Sequence, residues 1–250
     1  MKITTLGTSH GDHTYCRFNS STLFESGKKL YLFDAGAPVN GLMIRKGKAI
    51  QKLKAVFITH LHEDHAGGLT GIIKSLLKYP QENQRTDIFL PEKGAGDGLG
   101  AWLKTLRLPW PSELVNVKYS EPGKIFDDGV LAVSAEGTAH LPRKGEDFSS
   151  FSYILKAEGK RIVYTGDLSG SFDDFPAAAK EEECDLCICE ATHYDMQKAL
   201  PILKACPIKR LIFNHIGDKW HGDGEGELRA FSEALPYPCQ IAHDGNVFEL

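Results

Sequence analysis

Thr59-His60-Leu61-His62-Glu63-Asp64-His65-Ala66-Gly67-Gly68 is the stretch on which the reading of this chain turns. Three histidines and an aspartate fall within the six residues His60–His65. They lie between a short apolar run, Ala55–Ile58, and a helical pattern, Leu69–Lys78, that stops before Pro80. Neutral imidazole nitrogens bind borderline metals such as zinc, and a carboxylate adds charge neutralisation. In an extended segment His60 and His62 point to the same side and can share one ion. Asp64 and His65 then enter a helix and can face a second, while Gly67 and Gly68 permit close backbone approach.

Working outward, apolar runs predict strands at Ile3–Gly7, Ser21–Glu25, Lys29–Phe33, Thr86–Leu90, Leu114–Tyr119, Val130–Ala135, Phe151–Ala157 and Arg161–Tyr164. Others are Lys209–Phe213, Gln240–Ala242 and Val247–Glu249, and Cys184–Cys189 alternates as a buried strand. Helices are expected at Leu99–Leu106, Asp173–Glu183, Asp195–Lys204 and Glu225–Ala234. This order suggests two mixed sheets with helices outside. His60, Asp167 and His215 each follow a predicted strand, where α/β folds build their sites.

The pattern His-x-His-x-Asp-His resembles the signature of the metallo-β-lactamase superfamily. The resemblance implies an α/β protein of α+β type, a four-layer αββα sandwich, with residues 1–250 as one domain. It also implies a third histidine, a bridging acid and a last histidine, in that order. This sequence offers His140 in Gly137-Thr138-Ala139-His140, Asp167 in Tyr164-Thr165-Gly166-Asp167, and His215 in Phe213-Asn214-His215. By that resemblance His60, His62 and His140 hold one metal, Asp64, His65 and His215 hold the other, and Asp167 bridges both. The aspartate counts against the zinc β-lactamases, which usually place a cysteine there. His62 counts against the family's diiron redox members, which place a glutamate at that position.

Flanking segments resemble the phosphodiesterase branch, which includes the tRNA 3′-end processing endonucleases. They are Leu6-Gly7-Thr8-Ser9, Arg17-Phe18-Asn19-Ser20-Ser21, Phe33-Asp34-Ala35-Gly36, Glu190-Ala191-Thr192 and Asp244-Gly245. The tRNA-processing enzymes carry a further histidine, in a Gly-His-Ser/Thr segment, that helps protonate the leaving group. The interval Tyr194–Asn214 has none, which leaves His193 and His243 as candidates for proton transfer. Arg17 is read as a phosphate contact or a surface ion pair.

Two divalent ions, zinc by preference with manganese or iron as alternatives, would lower the pKa of a water between them. The resulting bridging hydroxide would attack phosphorus, with Asp64 and Asp167 as catalytic ligands. The expected activity is a metal-dependent phosphodiesterase acting on a small or cyclic phosphodiester. Lactone or thioester hydrolysis is the alternative, and a non-catalytic metal-binding or ligand-sensing protein is the second.

The bulk numbers agree with a globular hydrolase. The 250 residues are 42% hydrophobic and 25% charged, with a net charge of −4. That balance, and the lack of a Gly/Pro/Lys-rich arm, leads to the expectation that tRNA is not a favoured partner. No run approaches the roughly 18 apolar residues of a membrane span. The N-terminus lacks a signal-peptide core, and the six cysteines are read as reduced thiols, so a cytoplasmic location is expected. A homo-oligomer is allowed by the sequence.

Overall fold

The computed structural model describes residues Met1–Leu250. One sheet is built from β1 (Lys2–Gly7), β2 (Ser21–Ser26), β3 (Lys29–Phe33), β4 (Leu53–Phe57), β5 (Thr86–Leu90), β6 (Val115–Tyr119) and β14 (Asn246–Glu249), in the order β14-β1-β2-β3-β4-β5-β6. The other holds β7 (Gly123–Asp127), β8 (Ala132–Gly137), β9 (Phe151–Ala157), β10 (Lys160–Tyr164), β11 (Leu186–Ala191), β12 (Leu211–Ile216) and β13 (Cys239–Ile241), in the order β13-β12-β11-β10-β9-β8-β7. Each sheet is antiparallel on one side and parallel on the other: β3 to β6 run parallel, as do β10 to β13.

The helices are α1 (Val39–Arg45), α2 (Glu63–Ala66), α3 (Leu69–Lys78), α4 (Ala95–Thr105), α5 (Ala177–Glu181), α6 (Met196–Ala205) and α7 (Glu225–Glu233). None is long and apolar enough to cross a membrane.

Both faces of each sheet are covered, and the strand sequences explain why. In β3, Tyr31 and Phe33 join Phe57, Phe89, Tyr153 and Tyr164 in an aromatic layer between the sheets. Leu30 and Leu32 on the opposite face join Ile72, Ile73 and Leu76 of α3. Strands with two buried faces read as near-continuous apolar runs, as these do. On the far side, Cys187, Cys189, Leu211 and Phe213 pack against Ala199, Leu203, Leu228 and Phe231 of α6 and α7. The result is the expected four-layer αββα sandwich. Phe33 lies 4.7 Å from Phe57, which lies 4.8 Å from Phe89, all stacked, so the two sheets meet on a rigid floor beneath the strand ends.

Several boundaries differ from expectation. The predicted helix Asp173–Glu183 shrinks to α5, because Pro176 precedes it and Asp174 is used elsewhere. The Asp174 carboxylate accepts hydrogen bonds from the backbone of Ser169 and Ala139. Helix α1 was not expected, although Val39, Leu42 and Met43 bury one face at helical spacing. The strand predicted to end at Phe213 runs on to Ile216, which puts His215 inside β12.

Candidate metal centre

The chain brings seven metal-type side chains to one edge, where the parallel strands of both sheets end. His60 follows β4 and the short coil Ile58–Thr59, His62 precedes α2, and Asp64 and His65 lie in its single turn. His140 follows β8, Asp167 follows β10, and His215 lies near the end of β12.

His60 Nε2 lies 3.0 Å from His62 Nδ1, and His140 Nε2 lies 3.3 Å from the same His62 atom. Three imidazole nitrogens thus converge on one point. In a second group, His65 Nε2 lies 3.4 Å and His215 Nε2 3.8 Å from Asp64 Oδ2. Asp167 stands between the groups. Its Oδ2 is 3.6 Å from His60, 3.7 Å from His140 and 3.3 Å from His215, and its Oδ1 is 3.3 Å from His65.

The donor set fits two cations. Within each group the ligand atoms all lie within 4.8 Å of one another. His65 Nε2 and Asp167 Oδ1 are buried without a hydrogen-bond partner, a costly arrangement for polar atoms that a shared cation would relieve. Burial drives His60 well below the ordinary histidine pKa, so its nitrogen is a free lone pair. Burial opposes a charge on His65 too, but the carboxylates of Asp167 and Asp34 outweigh it and hold that ring well above its usual value. Asp167 is likewise opposed by burial and overruled by His215, His65 and His60, which keep it ionised. Such a cluster stores protons that a metal displaces.

Behind the ligands, Asp34 follows β3 with φ of 57°, a left-handed conformation that costs about 1–3 kcal/mol away from glycine. Its Oδ1 accepts from the Thr59 backbone N–H at 2.8 Å, and its Oδ2 from Tyr164 Oη at 3.0 Å and His65 Nδ1 at 2.9 Å. Asp34 thereby fixes which His65 nitrogen faces the site. The segment Phe33-Asp34-Ala35-Gly36 drew attention in the sequence as a family-like flank, but this role required the tertiary structure.

The two proton-transfer candidates separate. His193 enters the site: its Nε2 lies 3.7 Å from Asp167 Oδ2 and its ring 4.6 Å from that of His140. Its Nδ1 lies 3.0 Å from Glu190 Oε1, and the same carboxylate accepts from the backbone of Leu168, Thr192 and His193. Burial lowers the His193 pKa, but Glu190 and then Asp167 more than compensate and raise it to about 9. His193 is also close enough to His140 and Asp167 to join a metal group, with its Nδ1 held by Glu190 and its Nε2 facing Asp167. His243 goes elsewhere, paired with Glu225 Oε2 at 3.0 Å and Arg17 at 3.3 Å, with no cluster residue among its partners. Arg17 makes the expected ion pair, its Nη2 3.4 Å from Glu225 Oε2, but from a buried position and not on the surface. It is buried, with Nη1 donating to Thr8 Oγ1 and to the Ala242 carbonyl, and ties the loop after β1 to the C-terminal turn.

With this geometry established, known proteins resemble the chain along its whole length. The family described as Anti-Pycsar protein Apyc1 matches residues 1–199. Ribonuclease Z of Listeria welshimeri is 25% identical over 310 aligned residues, covering 100% of this chain and 99% of the relative. The metallo-β-lactamase fold protein YhfI from Bacillus subtilis superposes with a TM-score of 0.78 at 21% identity, covering 99% of each chain. Human tRNase Z, short form, gives 0.77 at 22% identity, covering 100% of this chain and 99% of its own. A diphosphatase from the PhnP family gives 0.73 at 22% identity, covering 100% and 97%.

The ribonuclease Z relatives overturn the expectation that tRNA is not a favoured partner. That expectation rested on net charge and on one missing arm. Polyanion binding follows the local distribution of charge on a surface, which a whole-chain sum does not report.

Proposed function

The chain belongs to the Anti-Pycsar protein Apyc1 family, within the tRNase Z- and phosphodiesterase-like branch of the metallo-β-lactamase superfamily of metal-dependent hydrolases, and we propose that it hydrolyses phosphodiesters at a dinuclear centre. The observation that carries this reading is the His193–Glu190 pair, 3.0 Å apart, set beside the seven-ligand cluster with His193 Nε2 3.7 Å from Asp167 Oδ2. A phosphodiester needs its leaving oxygen protonated, and this pair puts a held proton next to the bridging carboxylate.

In this reading His60, His62 and His140 hold one ion, Asp64, His65 and His215 the other, and Asp167 both. Zinc suits a donor set so rich in imidazole. Bound metals polarise phosphoryl oxygens and lower the pKa of water. Asp34, through His65, and Asp167 hold the donors in register. His193 donates its Nε2 proton to the leaving oxygen, and Glu190 keeps the ring oriented and charged. His243, bound to Glu225 and Arg17, takes no part.

The preferred substrate class is a small or cyclic phosphodiester. A second reading, cleavage of an RNA phosphodiester, is favoured by the relatives named ribonuclease Z. Residues 1–250 are taken as one domain, since both sheets share the aromatic layer. The six free thiols suit a cytoplasmic location.

The test is turnover by zinc-loaded protein on bis(p-nitrophenyl) phosphate, 3′,5′-cyclic mononucleotides, a 3′-extended tRNA, a lactone and a thioester. Cyclic nucleotide turnover that is lost in His62→Ala supports the first reading. Cleavage of the tRNA alone selects the second. Turnover of only the lactone or thioester removes phosphodiesters from consideration.

A further inference from the structure

His140 and Asp167 follow strands that are not neighbours, since β9 lies between β8 and β10. The strands end at Gly137 and Tyr164, so both ligands stand in loops beyond the ladder. Other ligands are fixed nearer at hand: Asp64 and His65 share the turn of α2, and His65 has Asp34 behind it. The His140 ring has one hydrogen-bond partner, His62 Nδ1 at 3.3 Å, which is itself a ligand. The N–H groups of Thr138 and Leu141 on either side of it donate to Ser150, just before β9. Those bonds tie His140 to its own hairpin and leave its distance from Asp167 open.

Asp174 closes that gap. Its Oδ2 accepts from the N–H of Ala139, the residue before His140, at 2.7 Å. The same oxygen accepts from the N–H of Ser169, two residues after Asp167, at 3.0 Å. Its Oδ1 accepts from the Ser169 hydroxyl at 2.7 Å. One carboxylate oxygen thus joins the two ligand loops across the end of β9. Hydrogen bonds to an ionised acceptor are about twice as strong as neutral ones.

The carboxylate is itself held from behind. Its loop turns on two buried rings, Phe172 and Phe175, stacked 4.8 Å apart, with Tyr194 4.2 Å from Phe172. Phe172 has φ of 65°, a left-handed conformation that a bulky residue keeps only where its surroundings impose it. A second tie runs beside the first, since the Ala178 N–H of α5 donates to Glu136 Oε1 of β8 at 3.1 Å.

We propose that Asp174 is a positioning residue for the metal centre, which sets His140 against Asp167 and so shapes the site formed by His60, His62 and His140. The inference rests on the dinuclear reading. The two loops do not depend on Asp174 equally. Asp167 keeps a further anchor, because the Leu168 N–H donates to Glu190 Oε1 at 2.9 Å, whereas the Ala139 N–H has Asp174 alone. Loss of Asp174 should therefore be felt by the ion that His140 helps to hold, while the ion at Asp64, His65 and His215 stays in place.

The test measures zinc affinity by competition with a chelator of known affinity. The wild type should bind two ions, and Asp174→Ala should weaken one of them about tenfold. Combination with ligand variants identifies which. In His215→Ala, where the His60 group is intact, adding Asp174→Ala should weaken the retained ion by the same factor. In His62→Ala, where the other group is intact, it should change nothing. Asp174→Asn should restore most of the affinity, because its amide oxygen can accept from both N–H groups in place of Oδ2. Asp174→Glu keeps the charge but moves the oxygens by a methylene; it should loosen the same ion, and it decides the case if the alanine variant does not fold. Unchanged affinities in the alanine and glutamate variants, an equal drop for both ions, or a drop in Asp174→Asn as large as in Asp174→Ala each overturn the proposal. A wild type that binds fewer than two ions removes the dinuclear reading, and the proposal with it.

Discussion

Asp34 Oδ2 lies 2.9 Å from His65 Nδ1, with both side chains fully buried, and this one contact ties the first sheet to the metal centre. A carboxylate behind a ligating imidazole fixes its tautomer and raises its basicity. Asp34→Ala should therefore lower metal affinity about 10–100-fold. It also leaves the Tyr164 hydroxyl and the Thr59 N–H without their acceptor, at a further cost to stability of about 1–3 kcal/mol. Competition with a chelator of known zinc affinity measures the first effect, and denaturant unfolding the second. Unchanged zinc affinity would remove Asp34 from the support of the site.

Asp167 touches both ligand groups, so its loss should be felt by both. Asp167→Ala is expected to retain less than two ions per chain and to lose measurable turnover. Metal analysis by plasma mass spectrometry alongside the hydrolysis assay checks this. A variant with full metal content and full activity contradicts the bridging assignment.

The His193 proton predicts the alkaline limb of the pH profile. Its pKa is raised from 6.5 to about 9, so the ring is charged below about pH 9, and activity that needs its proton falls as pH rises through that value. The stability it contributes has the same sign: fully present below about 6.5, lost through about 9. In Glu190→Gln the carboxylate is gone, and the limb should move down toward the ordinary histidine range. A limb that stays in place in this variant would assign the proton to another group.

Removing metal should destabilise the fold. A ligand that binds only the native state contributes about 4 kcal/mol when present at a thousand times its dissociation constant. Excess chelator is expected to lower the melting temperature, and added zinc to restore it. In His62→Ala, which loses one of three converging nitrogens, the chelator-induced drop should be smaller. An identical melting temperature with and without chelator would argue against a resident metal.

Gly36 lies where a Cβ would come within 2.1 Å of the Asp64 carbonyl oxygen and 2.6 Å of Asn19 Cβ. Gly36→Ala must push the ligand turn outward. The expected loss of stability is about 1–3 kcal/mol, as for other overpacked sites, with weaker binding of the ion that Asp64 holds. Wild-type stability would show that the turn yields at no cost.

What could be read in the sequence was what is local. His60, His62, Asp64 and His65 are neighbours along the chain, so their spacing alone announced a metal site. Leu69–Lys78, Thr86–Leu90 and Phe151–Ala157 were legible to the residue, because one period of apolar side chains settles each. His140, Asp167 and His215 lie 75 to 150 residues further on, and only their order in a family pattern pointed to them. Asp174 shows the opposite case. Its place before an alanine-rich run reads as helix, but its carboxylate is taken by Ser169 and Ala139, and the helix starts late.

The sequence by itself determined the kind of chemistry, since residue types fix which atoms can bind metal, and strand periodicity fixes which face they share. Only the tertiary structure shows which of His193 and His243 lies beside the cluster. Both follow apolar segments and look alike in sequence, but a histidine's role is set by the charge it meets. Glu190, three residues before His193, reaches back through the turn and holds its proton beside Asp167. His243 meets Glu225, which folding brings from α7. Electrostatic partnership acts over a few ångströms of space, whatever the separation along the chain, so this choice was left to the fold.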